Sequence, residues 1–399
     1  MHTLHDLSCG ALAGARHVRL THLGLTEFPR QLLELADTLE VLDLSGNQLT
    51  ALPDDLARLH RLRVLFASDN PFSSLPAVLG QCPQLEMVGF KACRIQHVPP
   101  ESLPARLRWL ILTDNQLRQL PATLGQRPRL QKLMLACNQL TALPDLRGCP
   151  QLELVRLSSN QLQTLPATLL ELPALAWLAL GGNPFTQEQE QHALAQPCET
   201  AIFYPNIEWQ GLRGEGASGH IWQARHGSPP QSLAIKRFKA AHTSDGTPQS
   251  EMAAGLWAGA HPHLLTPLAP VQGMPADQLA MALPLLPDSY THLAGPPSLD
   301  SCTRDVYAPQ AGWRAERAQQ LLDAVRSALL HLHARGVLHG DVYAHNVLWQ
   351  PHSGHALLSD LGAATLTGGL PAAQVAQLQA MEWRAFVHLQ AEVQSRATP

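Results

Sequence analysis

The sequence predicts two architectures in series: an α/β solenoid of short parallel strands, then a two-lobed α+β domain with a shortened second lobe. Three observations predict this. Leucines and asparagines recur with a period of 22–23 residues up to about Phe185; a glycine-rich turn between two apolar strands opens the second half; and polar residues of fixed type follow it in a fixed order. A chain of 399 residues with 45% hydrophobic content also exceeds what one core usually fills, so two domains are the starting expectation.

The period is read from Leu39, with copies starting at Leu62, Leu85, Leu107, Leu130, Leu152 and Leu175, in steps of 22 or 23 residues. A degenerate first copy runs through Val18, Leu20, Leu23 and Leu25. Within a copy, Leu42 and Leu44 lie two apart on a short strand and point the same way, into a core that only neighbouring copies can complete. Asn47, Asn70, Asn115, Asn138, Asn160 and Asn183 fill the one polar slot, where an amide satisfies backbone groups as the chain leaves the strand; Cys93 fills it in the third full copy. Leu-Pro pairs at 52–53, 75–76, 120–121, 143–144 and 165–166 suit the irregular outer side, because proline fixes φ and withdraws a donor. This half resembles the leucine-rich-repeat family, which implies a parallel-strand horseshoe that binds proteins on its strand face.

Alternation assigns that face. Val41, Val64, Met87, Trp109, Lys132, Leu154 and Trp177 form one exposed row, and Asp43, Phe66, Gly89, Ile111, Met134, Arg156 and Ala179 the next. The apolar patch Phe66, Met87, Trp109, Ile111, Met134 and Leu154 is the expected docking surface for a protein partner or substrate. A polar helix near Gln187–Glu199 is expected to cap the solenoid before Pro197, giving domains at 1–196 and 203–399.

In the second half, Ile207 to Trp222 reads as strand, glycine turn and returning strand, with Gly214, Gly216 and Gly219 where backbone can approach phosphates. Leu233-Ala234-Ile235-Lys236 is a strand delivering a lysine, and Glu251 lies in an expected helix from Gln249 to Trp257. Downstream, His339-Gly340-Asp341 precedes Asn346 by five residues from the aspartate, and Asp360-Leu361-Gly362 follows a strand. These elements resemble the protein kinases in type, order and interval, and the whole chain resembles bacterial leucine-rich-repeat protein kinases. The resemblance implies that Lys236 holds the ATP phosphates and Glu251 orients it, that Asn346 and Asp360 coordinate Mg²⁺, and that Asp341 takes the proton of the attacking hydroxyl. It also implies an adenine pocket lined by Ile221, Ala234 and Met281. Serine/threonine hydroxyls of protein are the expected acceptor.

Departures from that pattern matter too. Gly340 replaces the arginine usual before the aspartate, and Tyr343 and His345 stand where serine/threonine and tyrosine kinases place cations. Only residues 363–399 follow Gly362; Glu382 to Phe386 reads as a remnant of the central helix of the large lobe, and no Ala-Pro-Glu motif closes an activation segment. Two alternatives therefore stand beside an active protein kinase: a pseudokinase scaffold responsive to nucleotide, and a small-molecule kinase, since the His-Gly-Asp form also resembles kinases of aminoglycosides and choline. The 287–312 segment reads as a surface insertion.

Composition excludes other classes. A formal charge of −4 gives no basic footprint for nucleic acid or anionic lipid. Seven scattered cysteines form no C-x-x-C pair, so neither a disulfide framework nor zinc is expected, and His261/His263 and His331/His333 are read as structural. No secretory leader or spanning stretch is read, and a cytoplasmic protein is expected.

Overall fold

The computed structural model describes residues 2–198, 200–216, 218–243, 245–275 and 278–398. Glu199, at the edge of the expected boundary, and Ala217, inside the glycine turn, lie outside the described residues.

The repeats deliver eight three-residue strands: β1 (His17–Arg19), β2 (Val41–Asp43), β3 (Val64–Phe66), β4 (Met87–Gly89), β5 (Trp109–Ile111), β6 (Lys132–Met134), β7 (Leu154–Arg156) and β8 (Trp177–Ala179). They lie in sequence order in one parallel sheet. The register is in step, with His17, Val41, Val64, Met87, Trp109 and Lys132 on one line across it. Leu42, Leu44, Leu65, Leu133 and their equivalents are fully buried. The asparagines make the ladder: Asn138 Nδ2 donates to the carbonyls of Leu112 (2.8 Å) and Leu135 (3.0 Å), and its Oδ1 accepts from Leu117 N (3.0 Å). Prolines begin the return turns; Pro76, Pro121 and Pro166 precede 3-10 turns at Ala77–Gln81 and Ala122–Gln126 and the short helix α2 (Ala167–Leu170). Another short helix, α1 (Leu4–Ser8), starts the chain, and α3 (Pro184–Leu194) ends the repeats.

By packing, the chain divides into Met1–Val155 with Asn160–Leu175, and Arg156–Ser159 with Ala176–Pro399. The boundary expected between 196 and 203 follows the repeat pattern; packing groups the last repeat, α3, the last residue of β7 and the three residues after it with the second unit.

That second unit holds a six-stranded sheet in the order β10 (Glu208–Glu215), β11 (Gly219–His226), β12 (Gln231–Phe238), β14 (Ala280–Pro284), β13 (Ala269–Gln272), β9 (Ile202–Phe203). It is antiparallel except for β13 with β9. Ile202, Ile207, Leu233, Ile235 and Val271 form its core. Helix α4 (Pro248–Ala258) accompanies this sheet, and Thr247 caps its start by accepting from Ser250 N at 3.3 Å. The rest carries the long amphipathic helices α5 (Ala315–Ala334) and α6 (Ala372–Gln394) with short pairings: β15 (Thr291–His292), β18 (Val347–Trp349) and β19 (Ala356–Leu358) together; β16 (Trp313–Arg314) with β21 (Ala397–Thr398); and β17 (Val337–Leu338) with β20 (Thr365–Leu366).

Two members of the expected apolar patch are corrected by the structure. Met87 and Leu154 are buried, and only Phe66, Trp109, Ile111 and Met134 keep partial exposure. Met87 sits in register between Val64 and Trp109, and side chains on adjacent strands shield a central one. The exposed rows are also broken, because Val64, Gly89 and Lys132 are buried, and they end early, because Arg156, Trp177 and Ala179 are buried. Phe66 lies over Gly89, and Trp109 Nε1 points to Met134 Sδ at 3.4 Å with the Lys132 ammonium 4.4 Å from its ring.

Candidate active site

Strand β12 delivers Lys236, and the first turn of α4 delivers Glu251; Lys236 Nζ meets Glu251 Oε1 at 2.5 Å, with both side chains buried. Helix initiation fixes the carboxylate here, since Thr247 and Pro248 set the first turn. Burial pushes the Glu251 carboxyl up to about 7, Lys236 opposing and Asp360 and Asp245 adding to the rise. Burial also works against the Lys236 charge, yet Glu251, then Asp360 and Asp245, hold its ammonium above the ordinary value. Glu251 is thus the direct partner of the ammonium, with Asp360 and Asp245 acting on it electrostatically.

The glycine turn joins β10 to β11, and Gly216 N donates to Gly219 O at 2.9 Å. Its glycines differ. A Cβ on Gly219 would sit 2.6 Å from the Arg237 carbonyl on β12, whereas one on Gly214 would meet nothing within 4 Å. Ile221 is half-buried, Ala234 and Met281 are buried, and Lys236 lies in register between Ile221 and Met281 across β11, β12 and β14.

The loop after β17 carries Asp341. Asn346 Nδ2 donates to Asp341 Oδ2 (2.8 Å) and to its carbonyl (2.9 Å), closing the loop on itself. His339 accepts from Asp341 N at Nδ1 (3.2 Å), which leaves Nε2–H to donate to the Ser359 carbonyl at 3.0 Å. Ser359 in turn donates through N and Oγ to the Asn346 carbonyl, 2.8 Å each. Asp341, Asn346 and the strand before Asp360 are therefore one hydrogen-bonded block. Asp360 adopts φ 61°, a left-handed backbone, with Oδ1 accepting from Gly362 N at 3.1 Å. Burial would raise the Asp341 carboxyl, but Arg156 first, then His345, His339 and the Asn346 amide, bring it below the ordinary value.

Sequence reasoning missed several residues that hold this block. Arg156 pairs with Asp341 and, at 2.6 Å, with Asp245; Glu382 Oε1 accepts from Gly340 N at 2.7 Å while its Oε2 binds His333 at 2.7 Å. His345, considered as a substitute cation, is tied to Asp305 through Nδ1 at 2.7 Å; burial counts against its charge, but Asp305 and then Asp341 and Asp360 raise its pKa. Each of these partners lies far away in sequence, and no local pattern marks them. His261 and His331 stack at 4.8 Å, and His331 Nε2 meets the Ala258 carbonyl at 2.8 Å.

Residues 291–394 match the model of the lipopolysaccharide kinase (Kdo/WaaP) family, and residues 128–185 and 38–59 match leucine-rich-repeat models. The chain joins leucine-rich repeats to a kinase-family domain. Asp341, Asn346 and Asp360 fall inside the kinase-family match; the glycine turn, Lys236 and Glu251 precede it. Similar curated proteins include the human PH domain leucine-rich repeat-containing protein phosphatase 1, 35% identical over 108 residues, which are 26% of this chain and 6% of that protein. Human leucine-rich repeat-containing protein 58 is 36% identical over 103 residues, 24% of this chain and 28% of that protein. A solved leucine-rich-repeat protein of Leptospira interrogans aligns at 26% identity and a TM-score of 0.40, covering 46% of this chain and 52% of the other. The chain spans less than two thirds of each of these relatives. Among the described residues no helix is long and apolar enough to cross a membrane.

Proposed function

We propose that the kinase-family domain is an Mg-ATP-dependent protein kinase acting on serine or threonine hydroxyls, with the repeats binding the protein it modifies. The observation that carries this reading is the buried Lys236–Glu251 pair, influenced by Asp360, in the same unit as the Asp341–Asn346 block. Lys236 is the phosphate-binding cation and Glu251 its orienting partner. Asn346 uses its amide N–H on Asp341, so its oxygen remains available as a ligand; with Asp360 it offers a hard-oxygen pair that suits Mg²⁺. Bound Mg²⁺ would offset charge on the ATP phosphates. Gly214, Gly216 and Gly219 provide the turn over those phosphates, and Ile221, Ala234 and Met281 line the adenine end. Asp341 accepts the hydroxyl proton as the acceptor oxygen bonds to the γ-phosphorus and ADP leaves.

Half-buried Phe66, Trp109, Ile111 and Met134 are the proposed docking positions for the protein acceptor. Trp109→Glu should raise the KM for that acceptor at least tenfold, on the order of one lost aromatic anchor, and leave the KM for ATP unchanged.

A second reading has its own observation. The match of residues 291–394 to a lipopolysaccharide kinase family favours a saccharide or lipid hydroxyl as acceptor. Labelled ATP with Mg²⁺ offered to a protein panel and to a panel of saccharides and lipopolysaccharide separates the two. Label on protein, lost in Asp341→Asn, supports the first; label only on glycan overturns it. A nucleotide-responsive scaffold predicts a third result: Mg-ATP raises Tm, Lys236→Met removes that shift, and neither panel is labelled.

A further inference from the structure

The catalytic loop has no permanent cation of its own beside Asp341. Gly340 adopts φ 75°, and a Cβ there would collide with the Ala363 carbonyl and lie 2.7 Å from the Leu178 carbonyl of β8. Tyr343 is buried, stacked on Trp177 with ring centroids 4.3 Å apart and planes at 6°, while Trp177 Nε1 donates to the Val342 carbonyl at 3.0 Å. His345 is bound to Asp305. No side chain of the loop can supply a fixed positive charge at that carboxylate.

Arg156, the last residue of β7, supplies one. Only 2% exposed, it belongs by packing to the second unit, and all three guanidinium nitrogens are engaged. Nε donates to Asp245 Oδ1 at 2.6 Å, Nη1 to the Gly340 carbonyl at 3.1 Å, and Nη2 to Asp341 Oδ1. Asn346 holds the other Asp341 oxygen, so the carboxylate is fixed at both ends. The corresponding positions in earlier repeats are Arg19, Asp43, Phe66, Gly89, Ile111 and Met134, and five of these six are not arginine, so the repeat does not itself require one. A buried arginine is costly unless its partners repay it, and here one partner is the proposed proton acceptor.

We propose that Arg156, carried on the repeat sequence, is a positioning residue for phosphoryl transfer, holding Asp341 oriented through a cation that the catalytic loop lacks. The proposal rests on the kinase reading above and adds a dependence of catalysis on the repeats. Through Asp245, on the segment leading into α4, the same guanidinium also ties the catalytic loop to the helix that bears Glu251. A planar fork suits this task better than an ammonium, since it reaches three acceptors in fixed directions.

The test uses the full chain and whichever acceptor panel is labelled by the wild type. Arg156→Gln should lower kcat by about 100-fold, the usual scale for one preorganised donor, while the KM for ATP and the Mg-ATP shift in Tm stay within twofold of wild type. Arg156→Lys, which retains the charge and secures the test if the glutamine variant folds poorly, should fall between glutamine and wild type in kcat. Arg156→Gln in an Asp341→Asn background should cost nothing further, because Arg156 acts through that carboxylate. A wild-type kcat in Arg156→Gln overturns the proposal, as does a rate that rises, which would mark Arg156 as a brake. Equal kcat and equal Tm for the lysine variant and wild type also overturn the orienting role. If the wild type labels nothing although Mg-ATP raises its Tm, the kinase reading falls first and this proposal with it.

Discussion

Gly340 shows how one position can be fixed by its neighbours rather than by its own chemistry. A side chain there meets a left-handed backbone and two carbonyl oxygens, those of Ala363 and Leu178. Gly340→Ala should therefore cost about 3 kcal/mol from backbone strain and overpacking together, read as a lower urea midpoint at unchanged slope. A midpoint equal to wild type would mean that the loop relaxes freely. Asn138 makes the opposite case, a polar side chain fixed by what it satisfies. Asn138→Ala strands two carbonyls and one N–H in the solenoid core and should cost roughly 2–4 kcal/mol in the same measurement. The cysteines supply a pH test. Burial pushes the Cys82 and Cys93 thiols up to about 11, so their thiolate fraction near pH 8 is about a thousandth and rises with pH. Iodoacetamide at pH 8 should label exposed Cys9 first, then half-buried Cys198, with Cys82 and Cys93 protected in peptide mapping. Early labelling of Cys93 would contradict the packing described.

At the scale of elements, the β10–β11 hairpin separates two reasons for glycine that sequence cannot tell apart. Gly219 is required by close approach to β12, whereas Gly214 borders open space. Gly219→Ala should lower Tm by several degrees, and Gly214→Ala should leave it within about a degree, any loss appearing in the KM for ATP instead. Equal Tm losses would show that the turn, not the sheet contact, sets the requirement. The strands, the glycine turn and the helix bearing Glu251 were all legible from periodicity and turn chemistry, because those signals are local. The exposed rows of the repeat sheet were legible only in part. Alternation correctly separates one face from the other, but whether a face meets solvent depends on what packs there, as buried Arg156 and Trp177 demonstrate.

For the whole molecule, packing and repeat pattern draw different boundaries. Arg156–Ser159 and Ala176–Leu194 pack with the kinase-family domain, where Trp177 covers Tyr343, the Leu180 N–H meets Thr365 Oγ1 at 3.0 Å, and Glu190 binds Ser250 Oγ at 3.1 Å. A fragment of residues 203–399 loses all of these and should be recovered mostly insoluble or show no Mg-ATP shift in Tm. A fragment with full solubility and a wild-type shift would mean that the repeat-derived residues are dispensable for its fold.

Leucine-rich repeats followed by a kinase-family domain were legible in the sequence, as were the residues proposed for phosphates, metal and proton transfer. Those features are carried by local spacing, through strand alternation, turn residues and motif intervals. Tertiary structure alone decided what stands beside Asp341. The arginine there lies 185 residues away in sequence, and only folding brings its charge to that carboxylate.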